Sequence, residues 1–282
     1  MTACNGYLCI DAGGTFFKYA MLDFSGTPLT EVRQKPANSD GSKQDIIKAY
    51  ATIFDEVKSE YNISGVGIST PGPFDYVKRM SLMEHKFKSL YKVELGKELE
   101  DLLPCGVPVK FMSDGNAFLY GAYDGDESVI GITIGTGLGI AVCRDGRLVT
   151  NEIGGPAEVI YNRIVDGRIA EDYVSDRGIT EIYKELGGVM VENAKEVSDL
   201  AYSGDEKAVQ AFSKAGEVLG RVLCDITEKY ETKKIFFGGQ VSKSFELLRA
   251  SVSKELGDNI KLIPVTAENP ALTGVYKELI SY

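Results

Sequence analysis

The chain has 282 residues, of which 44% are hydrophobic and 26% are charged, and its formal net charge at pH 7 is −10. This composition is typical of a globular protein that is long enough for two hydrophobic cores. The acidic balance argues against nucleic acid or an anionic membrane as a partner, because either would require a basic surface. No apolar run reaches membrane-spanning length and residues 1–10 carry no leader pattern, so we expect a cytoplasmic protein.

The cysteines predict no disulfide framework. Their number is odd, and no two of them form a Cys-x-x-Cys pair. We expect buried free thiols in a reducing cytoplasm at Cys4, Cys9, Cys105, Cys143 and Cys224.

The first half of the chain alternates predicted strands with one amphipathic helix. Ser42 and Asp45 have the spacing of a capping box and predict the start of that helix. Residues 74–103 are rich in Lys and Glu, and we expect loop and helix there. Strands are predicted at 8–10, 17–24, 29–34, 65–69 and 107–112, and a short helix at 117–122.

The second half repeats the order β-β-β-α-β of the first half. A central hairpin is predicted at 129–142, with a further strand after the Asp145-Gly146 turn. Helices are predicted at 170–186, 205–230, 245–256 and 271–280, and strands at 235–237 and 261–264.

Two glycine-rich turns stand about half a chain apart, each between two predicted strands. They are Asp-x-Gly-Gly-Thr at 11–15 and Ile-Gly-Thr-Gly-Leu-Gly at 134–139. Small residues let backbone N–H groups approach a ligand closely, and a concave row of N–H groups binds phosphate. The duplication indicates one nucleotide held between two similar halves, although two structural hairpins with glycine turns are the simpler alternative.

Six motifs in a fixed order resemble the ROK (repressor, open reading frame, kinase) family of sugar kinases, within the actin-like and Hsp70-like ATPase superfamily. The resemblance covers nearly the whole chain. The motifs are Asp11-x-Gly13-Gly14-Thr15, Gly65-x-Gly67-x-x-x-Pro71-Gly72, Asp114-x-Asn116-Ala117, Ile134-Gly135-Thr136-Gly137-Leu138-Gly139, Glu152-Ile153-Gly154 and Phe237-Gly238-Gly239.

The resemblance implies an α/β protein with two actin-like (ribonuclease-H-like) domains and with ATP and sugar in the interdomain cleft. We expect residues 1–112 plus 270–282 to form the first domain and residues 113–269 the second. It also implies a homodimer, and transfer of the γ-phosphoryl group of ATP to a sugar hydroxyl, usually on C6.

Asp114 is the candidate catalytic base. A sugar hydroxyl is a poor nucleophile, and a carboxylate within hydrogen-bonding reach orients it and takes its proton. Asp114 follows a predicted strand and precedes a short helix, a position suited to a group projected into a cleft. The alternative is an aspartate that only caps the helix.

The ATP site is assigned from the same resemblance. We expect Asp11 near Mg²⁺, partly through water, because Mg²⁺ keeps much of its hydration shell. Lys18 either neutralises phosphate charge or is a solvated lysine. Gly238 and Gly239 are expected near the adenosine, where their alternative role is a strand-to-helix turn. The residues expected to line the phosphates are Gly13, Gly14, Thr15, Gly135, Thr136 and Gly137.

For the sugar, Glu152 and Glu171 match the hydroxyl-binding glutamates of the family. An exposed helix glutamate is the alternative for Glu171. The other expected sugar-binding residues are Pro71, Gly72, Ser113 and Asp114.

Three departures from the family pattern bear on the substrate and on zinc. Ser113 stands where the family usually has Asn, and Gly155 stands where it usually has His. The zinc-binding cysteines of the family have no counterpart in 162–170, and the only histidine is His85. We therefore predict no structural zinc. Packing of Ile160, Ile164 and Ile169 is expected to replace it.

The sequence therefore predicts an ATP- and Mg²⁺-dependent hexose kinase that acts on C6 of glucose or a close relative. One alternative is a kinase for N-acetylmannosamine, N-acetylglucosamine or a β-glucoside. An alternative of another class is a sugar-sensing protein with weak or no catalysis.

Overall fold

A computed structural model describes residues 5–281, so Cys4 lies outside the described residues. The strands are β1 (Asn5–Ala12), β2 (Phe16–Leu22), β3 (Arg33–Pro36), β4 (Asn62–Thr70), β5 (Phe74–Asp75), β6 (Met80–Ser81), β7 (Val109–Ser113), β8 (Val129–Ile134), β9 (Leu138–Arg144), β10 (Arg147–Leu148), β11 (Ile164–Val165), β12 (Arg168–Ile169), β13 (Lys234–Gly238) and β14 (Lys261–Pro264). The α-helices are α1 (Lys43–Lys58), α2 (Leu95–Glu100), α3 (Asp114–Ala122), α4 (Asp176–Glu185), α5 (Ala194–Tyr202), α6 (Glu206–Lys229), α7 (Glu246–Leu256) and α8 (Pro270–Ile280). No helix within residues 5–281 combines the length and the apolar character needed to cross a membrane.

The chain divides into two compact units. Within the described residues, the first unit takes 5–124, 150–156 and 268–281, and the second takes 125–149 and 157–267. The first unit thus extends past the boundary expected after residue 112, because α3 packs closely on α8. A Cβ atom on Gly121 would lie 1.8 Å from the carbonyl oxygen of Pro270, and one on Gly274 would lie 1.9 Å from that of Ala117. Only glycine permits this approach of the two helix backbones.

The first unit is built on a five-stranded mixed sheet of order β3-β2-β1-β4-β7. The β1–β2 and β2–β3 pairs are antiparallel, whereas β1–β4 and β4–β7 are parallel. Helix α1 buries Ile46, Tyr50 and Phe54 in the core of this unit. Its predicted capping box is confirmed, because Ser42 and Asp45 each bond the other's backbone N–H through their side chains.

The second unit contains a sheet of the same order, β10-β9-β8-β13-β14. Its directions also match, since β8–β9 is antiparallel and β8–β13 and β13–β14 are parallel. Helix α6 supplies much of the core through Phe212, Leu219 and Leu223. The predicted α/β class with two similar halves is therefore confirmed.

Some predicted elements differ from the structure. The third strand begins at Arg33 rather than at residue 29. The helix predicted over 170–186 is a 3₁₀ turn at Ala170–Asp172 followed by α4, because Ser175 leaves the helical conformation and caps α4 by accepting the N–H of Gly178. Helix α5 was not predicted, and Cys105 is exposed rather than buried.

Candidate active site

The structure distributes the predicted site residues over the two units. The first unit carries Asp11, Gly13, Gly14, Thr15, Lys18, Pro71, Gly72, Ser113, Asp114 and Glu152. The second carries Gly135, Thr136, Gly137, Glu171, Gly238 and Gly239. Each unit therefore contains one glycine-rich turn and one candidate sugar-binding glutamate.

Asp11 lies at the carboxyl end of β1, where the two neighbouring strands, β2 and β4, each supply a polar side chain. Its Oδ1 accepts a hydrogen bond from the hydroxyl of Ser69 on β4 at 3.0 Å. Lys18 lies directly opposite Asp11 in the register of β1 and β2, so both residues belong to the same face of the sheet. Burial raises the pKa of Asp11, while the Ser69 bond and the Lys18 charge lower it. The register thus places the Lys18 side chain on the same face of the sheet as Asp11, which the sequence pattern left open.

The turn after β1 offers backbone N–H groups. The N–H of Gly13 bonds to the carbonyl oxygen of Asp11 at 3.1 Å, and the carbonyl oxygen of Thr15 accepts the N–H of Ala37. Within residues 5–281, no acceptor bonds to the N–H of Gly14 or of Thr15. Two adjacent N–H groups without acceptors fit an anion such as phosphate.

Asp114 is the first residue of α3, directly after β7. The helix cap is its neighbour Ser113, whose hydroxyl accepts the N–H of Asn116 at 3.1 Å. Asp114 is therefore not needed as the cap, and its Oδ1 accepts only the adjacent N–H of Gly115 within the described residues. Ser113 is 2% exposed. Its hydroxyl, which was expected to contact the sugar, accepts the hydrogen bond that caps α3. A sugar contact by Ser113 stays a prediction.

The carboxyl group of Asp114 has an unusual proton affinity. The side chain is accessible to solvent, yet the surrounding protein removes part of its hydration. This desolvation raises the pKa of Asp114 to about 6, with a further increase from the negative charge of Asp11 and a decrease from Lys86. Strongly shifted carboxyl groups in accessible positions are typical of catalytic sites.

Lys86 belongs to this site, although no sequence motif indicated it. Its Cδ atom lies 3.6 Å from the position that a Cβ atom on Gly14 would take. Its charge also acts on Asp114. Lys86 comes from the segment predicted only as irregular, and this segment shows no periodicity that would have identified it.

Tyr76 is a second residue that the sequence did not indicate. Its hydroxyl donates to the carbonyl oxygen of Thr70 at 3.1 Å, directly before Pro71 and Gly72. Its backbone N–H donates to the carbonyl oxygen of Ile153 at 2.8 Å. One buried tyrosine thus connects the Pro71–Gly72 turn with the loop that carries the exposed Glu152.

The Glu152 loop is shaped by Asn151 and two glycines. The side-chain oxygen of Asn151 accepts the N–H groups of Ile153 and Gly155. Gly154 has a φ of 77°, a conformation that favours glycine. A Cβ atom on the buried Gly155 would lie 3.2 Å from the side chain of Asn151. Asn151 and Tyr76 therefore border the position where the family usually has His.

In the second unit, Glu171 contacts the glycine-rich turn between β8 and β9. Its Oε2 accepts the N–H of Leu138 at 2.9 Å, and a Cβ atom on Gly137 would lie 2.8 Å from the same oxygen. Glu171 lies in a 3₁₀ turn and is only partly exposed, so it is not an exposed helix glutamate. Within the described residues, no acceptor bonds to the N–H of Thr136 or Gly137, which fits phosphate as in the first unit.

Gly238 is the last residue of β13, and Gly239 follows it. The φ of Gly239 is 91°, and a Cβ atom there would lie 2.3 Å from the carbonyl oxygen of Ile134 on β8. The sharp turn of the chain against the neighbouring strand β8 therefore requires glycine at position 239. Contact with adenosine stays a prediction.

Ion pairs fasten the segment 158–169, which precedes Glu171, to α6. Asp166 pairs with Lys214 and Arg221, both at 3.1 Å, and Arg163 pairs with Asp225 at 2.6 Å. Ile160 is fully buried as expected, but Ile164 is 69% exposed and Val165 is buried instead. The expected packing of Ile164 is therefore wrong, because the β11–β12 hairpin turns Val165 inward. This segment occupies the region of the family's zinc module.

Within residues 5–281, no three His, Cys, Asp or Glu side chains gather in a way that could hold a metal ion. The absence of structural zinc stays a prediction. Metal analysis of protein purified without added zinc tests it, and one zinc per chain would contradict it.

Comparison with known proteins agrees with the geometry of both units. The ROK family description matches residues 7–269. A glucokinase of Thermotoga maritima is 24% identical, and the match covers 96% of this chain and 91% of that protein. An N-acetylmannosamine kinase of Escherichia coli O1:K1 is 28% identical, with coverage of 83% and 82%.

A solved structure supports the same fold. The ROK family glucokinase from Streptomyces griseus, in complex with glucose and AMPPNP, superposes with a TM-score of 0.79 at 22% identity, covering 97% of this chain and 98% of that one. Both units thus have the fold of the two-domain, actin-like ATPases. The chain belongs to the ROK family.

Proposed function

We propose that this protein is an ATP-dependent sugar kinase that transfers the γ-phosphoryl group to a hexose hydroxyl, on C6 of glucose or a close relative. The observation that carries the proposal is Asp114, an accessible carboxylate whose pKa is raised to about 6 in the unit that also holds a phosphate-type turn. The ROK kinases among its relatives support the same activity.

In the proposed reaction, Asp114 accepts a hydrogen bond from the sugar hydroxyl and takes its proton as the new O–P bond forms. A base works best when its pKa lies close to the operating pH. At pH 7 most of the Asp114 carboxyl groups are ionised and able to accept the proton. The Gly115 N–H holds one carboxylate oxygen in place, which leaves the other for the hydroxyl.

ATP phosphates are proposed to bind the N–H groups of Gly14 and Thr15, and those of Thr136 and Gly137, because these groups have no acceptor within the described residues. Lys18 lies on the same face as Asp11 and adds positive charge. Mg²⁺, when bound with ATP, neutralises phosphate charge, and the Asp11 carboxylate is the side chain proposed to hold it, partly through water. Gly238 and Gly239 are proposed to contact adenosine.

The sugar is proposed to bind Glu152 and Glu171 through its hydroxyl groups, next to Pro71, Gly72 and Ser113. Glu171 has one carboxylate oxygen bonded to Leu138, and its second oxygen has no hydrogen-bond partner within residues 5–281. The Ser113 oxygen already accepts one hydrogen bond in capping α3, so its O–H is the group proposed to donate to the sugar.

A second candidate is a kinase for N-acetylmannosamine, N-acetylglucosamine or a β-glucoside. Gly155 favours it, because no imidazole occupies the position where the family usually has His. A sugar-sensing protein with weak catalysis is the third candidate, and the presence of Asp114 and both phosphate-type turns argues against it. A homodimer, implied by the resemblance, and a cytoplasmic location, expected from the sequence, complete the proposal.

ADP release with Mg-ATP against glucose, fructose, allose, N-acetylmannosamine, N-acetylglucosamine and cellobiose tests these alternatives. Activity with one sugar that the Asp114→Asn variant loses supports the kinase and identifies its substrate class. Failure of all six sugars in a protein that still binds ATP favours the sensor.

A further inference from the structure

Lys86 places a positive charge near two features of the first unit that the proposed reaction needs, the glycine-rich turn at Gly14 and the carboxyl group of Asp114. Its Cδ and Cε atoms lie 3.6 Å and 3.9 Å from the position of a Cβ atom on Gly14. The stem of the lysine thus passes along the phosphate-type turn at Gly14, one of the two residues whose N–H lacks an acceptor. Its charge also lowers the pKa of Asp114, the proposed base.

The segment that carries Lys86 is firmly anchored. Phe87 is 2% exposed, and its ring stacks on Phe17 of β2 with 6.1 Å between ring centroids. Met83 and Leu90 on either side are 1% and 2% exposed. These contacts fix the segment against the strand that leaves the turn.

The backbone next to Lys86 is strained. Phe87 has a φ of 49°, in the left-handed region that a bulky side chain rarely adopts. Such conformations cost free energy and cluster at functional sites. Burial of the Phe87 ring stabilises this conformation, which presents the preceding residue, Lys86, at the turn.

Lys86 has no carboxylate of its own. Within residues 5–281, the ammonium group of Lys86 forms no ion pair with an Asp or Glu oxygen and donates no hydrogen bond. Lys88, two residues along, is an exposed lysine on the surface of the same segment. Lys86 is only partly exposed, so its charge is less screened by solvent.

The adjoining surface pocket does not suit phosphate. It has a volume of about 580 Å³ and borders Gly14 and Thr15. Asp40 and Asp45 also line it, and their carboxylates would repel an anion. The favourable electrostatic position for a phosphate at this turn is therefore beside Lys86.

We propose that the Lys86 ammonium binds the terminal phosphate of ATP and stabilises the phosphoryl group during its transfer. This inference rests on the proposed kinase function. In the step, a bond forms between the sugar oxygen and phosphorus as the bond from phosphorus to the ADP oxygen breaks. The hydroxyl proton passes to Asp114, and Lys86 gives up no proton. A fixed positive charge at this point offsets the charge on the phosphoryl oxygens.

The test compares Lys86→Met with Lys86→Arg, and with Lys88→Met as the matched control. Calorimetry measures the affinity of each variant for AMPPNP and for ADP, both with Mg²⁺. Lys86→Met is expected to weaken AMPPNP binding by about 10-fold or more, the usual loss for one charge-assisted hydrogen bond. ADP binding is expected to stay at the wild-type value, because ADP lacks the terminal phosphate.

In steady-state assays with the sugar that the panel identifies, kcat of Lys86→Met is expected to fall by about 100-fold, as for other lost donors to a developing charge. Lys86→Arg should recover much of the loss, and Lys88→Met should match the wild type in both assays. Unchanged AMPPNP affinity in Lys86→Met, or an equal loss for ADP and AMPPNP, would overturn the proposal for Lys86.

The two proposals can fail separately. If no sugar is phosphorylated but Lys86→Met still loses AMPPNP affinity selectively, the kinase proposal fails and the phosphate contact of Lys86 is supported. If the wild type phosphorylates a sugar and Lys86→Met does so equally well, the kinase proposal is supported and the role of Lys86 is refuted.

Discussion

The carboxylate of Glu171 accepts the backbone N–H of Leu138 at 2.9 Å, which joins a candidate sugar-binding side chain to the glycine-rich turn of the second unit. The same oxygen fills the space next to Gly137 that a Cβ atom would need. One carboxylate oxygen therefore shapes the proposed phosphate turn while the other is available for a sugar hydroxyl. If a sugar hydroxyl binds this second oxygen as proposed, we expect sugar binding to be coupled to the conformation of the turn.

Glu171→Gln tests this coupling. The amide keeps an acceptor for Leu138 but loses the charge, and charge-assisted hydrogen bonds are about twice as strong as neutral ones. We expect KM for the sugar to rise by about 10-fold, with little change in ADP affinity. Glu171→Ala should also weaken ADP binding, because the Leu138 N–H loses its acceptor. Glu181→Gln, on the exposed side of α4, is the control, and wild-type KM in both Glu171 variants would contradict the coupling.

Asp114→Asn should abolish turnover while ATP binding survives. The amide is nearly isosteric but cannot take a proton, and a positioned base contributes about 10²–10⁴-fold to the rate. Kinetics of ADP release and calorimetry with AMPPNP measure the two effects. Asp101→Asn, at the exposed end of α2, serves as the control. Turnover close to that of the wild type would remove Asp114 from the role of base.

The pH dependence of kcat/KM should follow the ionisation of Asp114 in the free protein. Because its pKa is raised to about 6, kcat/KM is expected to fall as pH decreases through that value. A pH profile of kcat/KM with the preferred sugar measures this. An acidic limb centred near the ordinary pKa of 3.8 would show that desolvation does not act on the reacting carboxyl group.

The same shift makes a prediction for stability. A carboxyl group whose pKa is raised on folding binds more protons in the native state, so the free energy of unfolding decreases as pH rises from the unfolded value of 3.8 to about 6. Asp114→Asn should therefore have a higher Tm than the wild type at pH 7, and this difference should vanish below about pH 4. Thermal denaturation at several pH values tests it, and equal Tm values at pH 7 would contradict it.

Asp166→Asn should loosen segment 158–169. Hydrogen bonds from Arg221 and Lys214 hold the pKa of Asp166 below its usual value, so its stabilising effect is present above pH 3.8 and is lost as pH falls through the lowered value. At neutral pH, hydrogen exchange of residues 158–169 should be faster in the variant than in the wild type. High salt should also accelerate this exchange in the wild type, because it screens the ion pairs. Asp258→Asn, an exposed aspartate without an ion pair within residues 5–281, should leave that exchange unchanged.

Local patterns predicted those parts of the fold that depend on neighbouring residues. The capping box at Ser42 and Asp45 gave the start of α1, because both bonds lie within one helical turn. The glycine-rich turn gave the β8–β9 hairpin in the same way. The continuous helix over 170–186 was wrong, because Ser175 and its neighbours are held by bonds to Gly135 and Gly178 that the apolar spacing did not encode.

The sequence by itself determined the α/β class, the ROK family and the presence of Asp114 and two phosphate-type turns, because each is expressed in short runs of consecutive residues. Only the tertiary structure brought Lys86 to Gly14 and joined Tyr76 to the Glu152 loop. It also showed that Ser113, not Asp114, caps α3. These relationships depend on how the chain packs, and on which of two adjacent polar groups the helix uses. Periodicity and spacing carry no information about such choices.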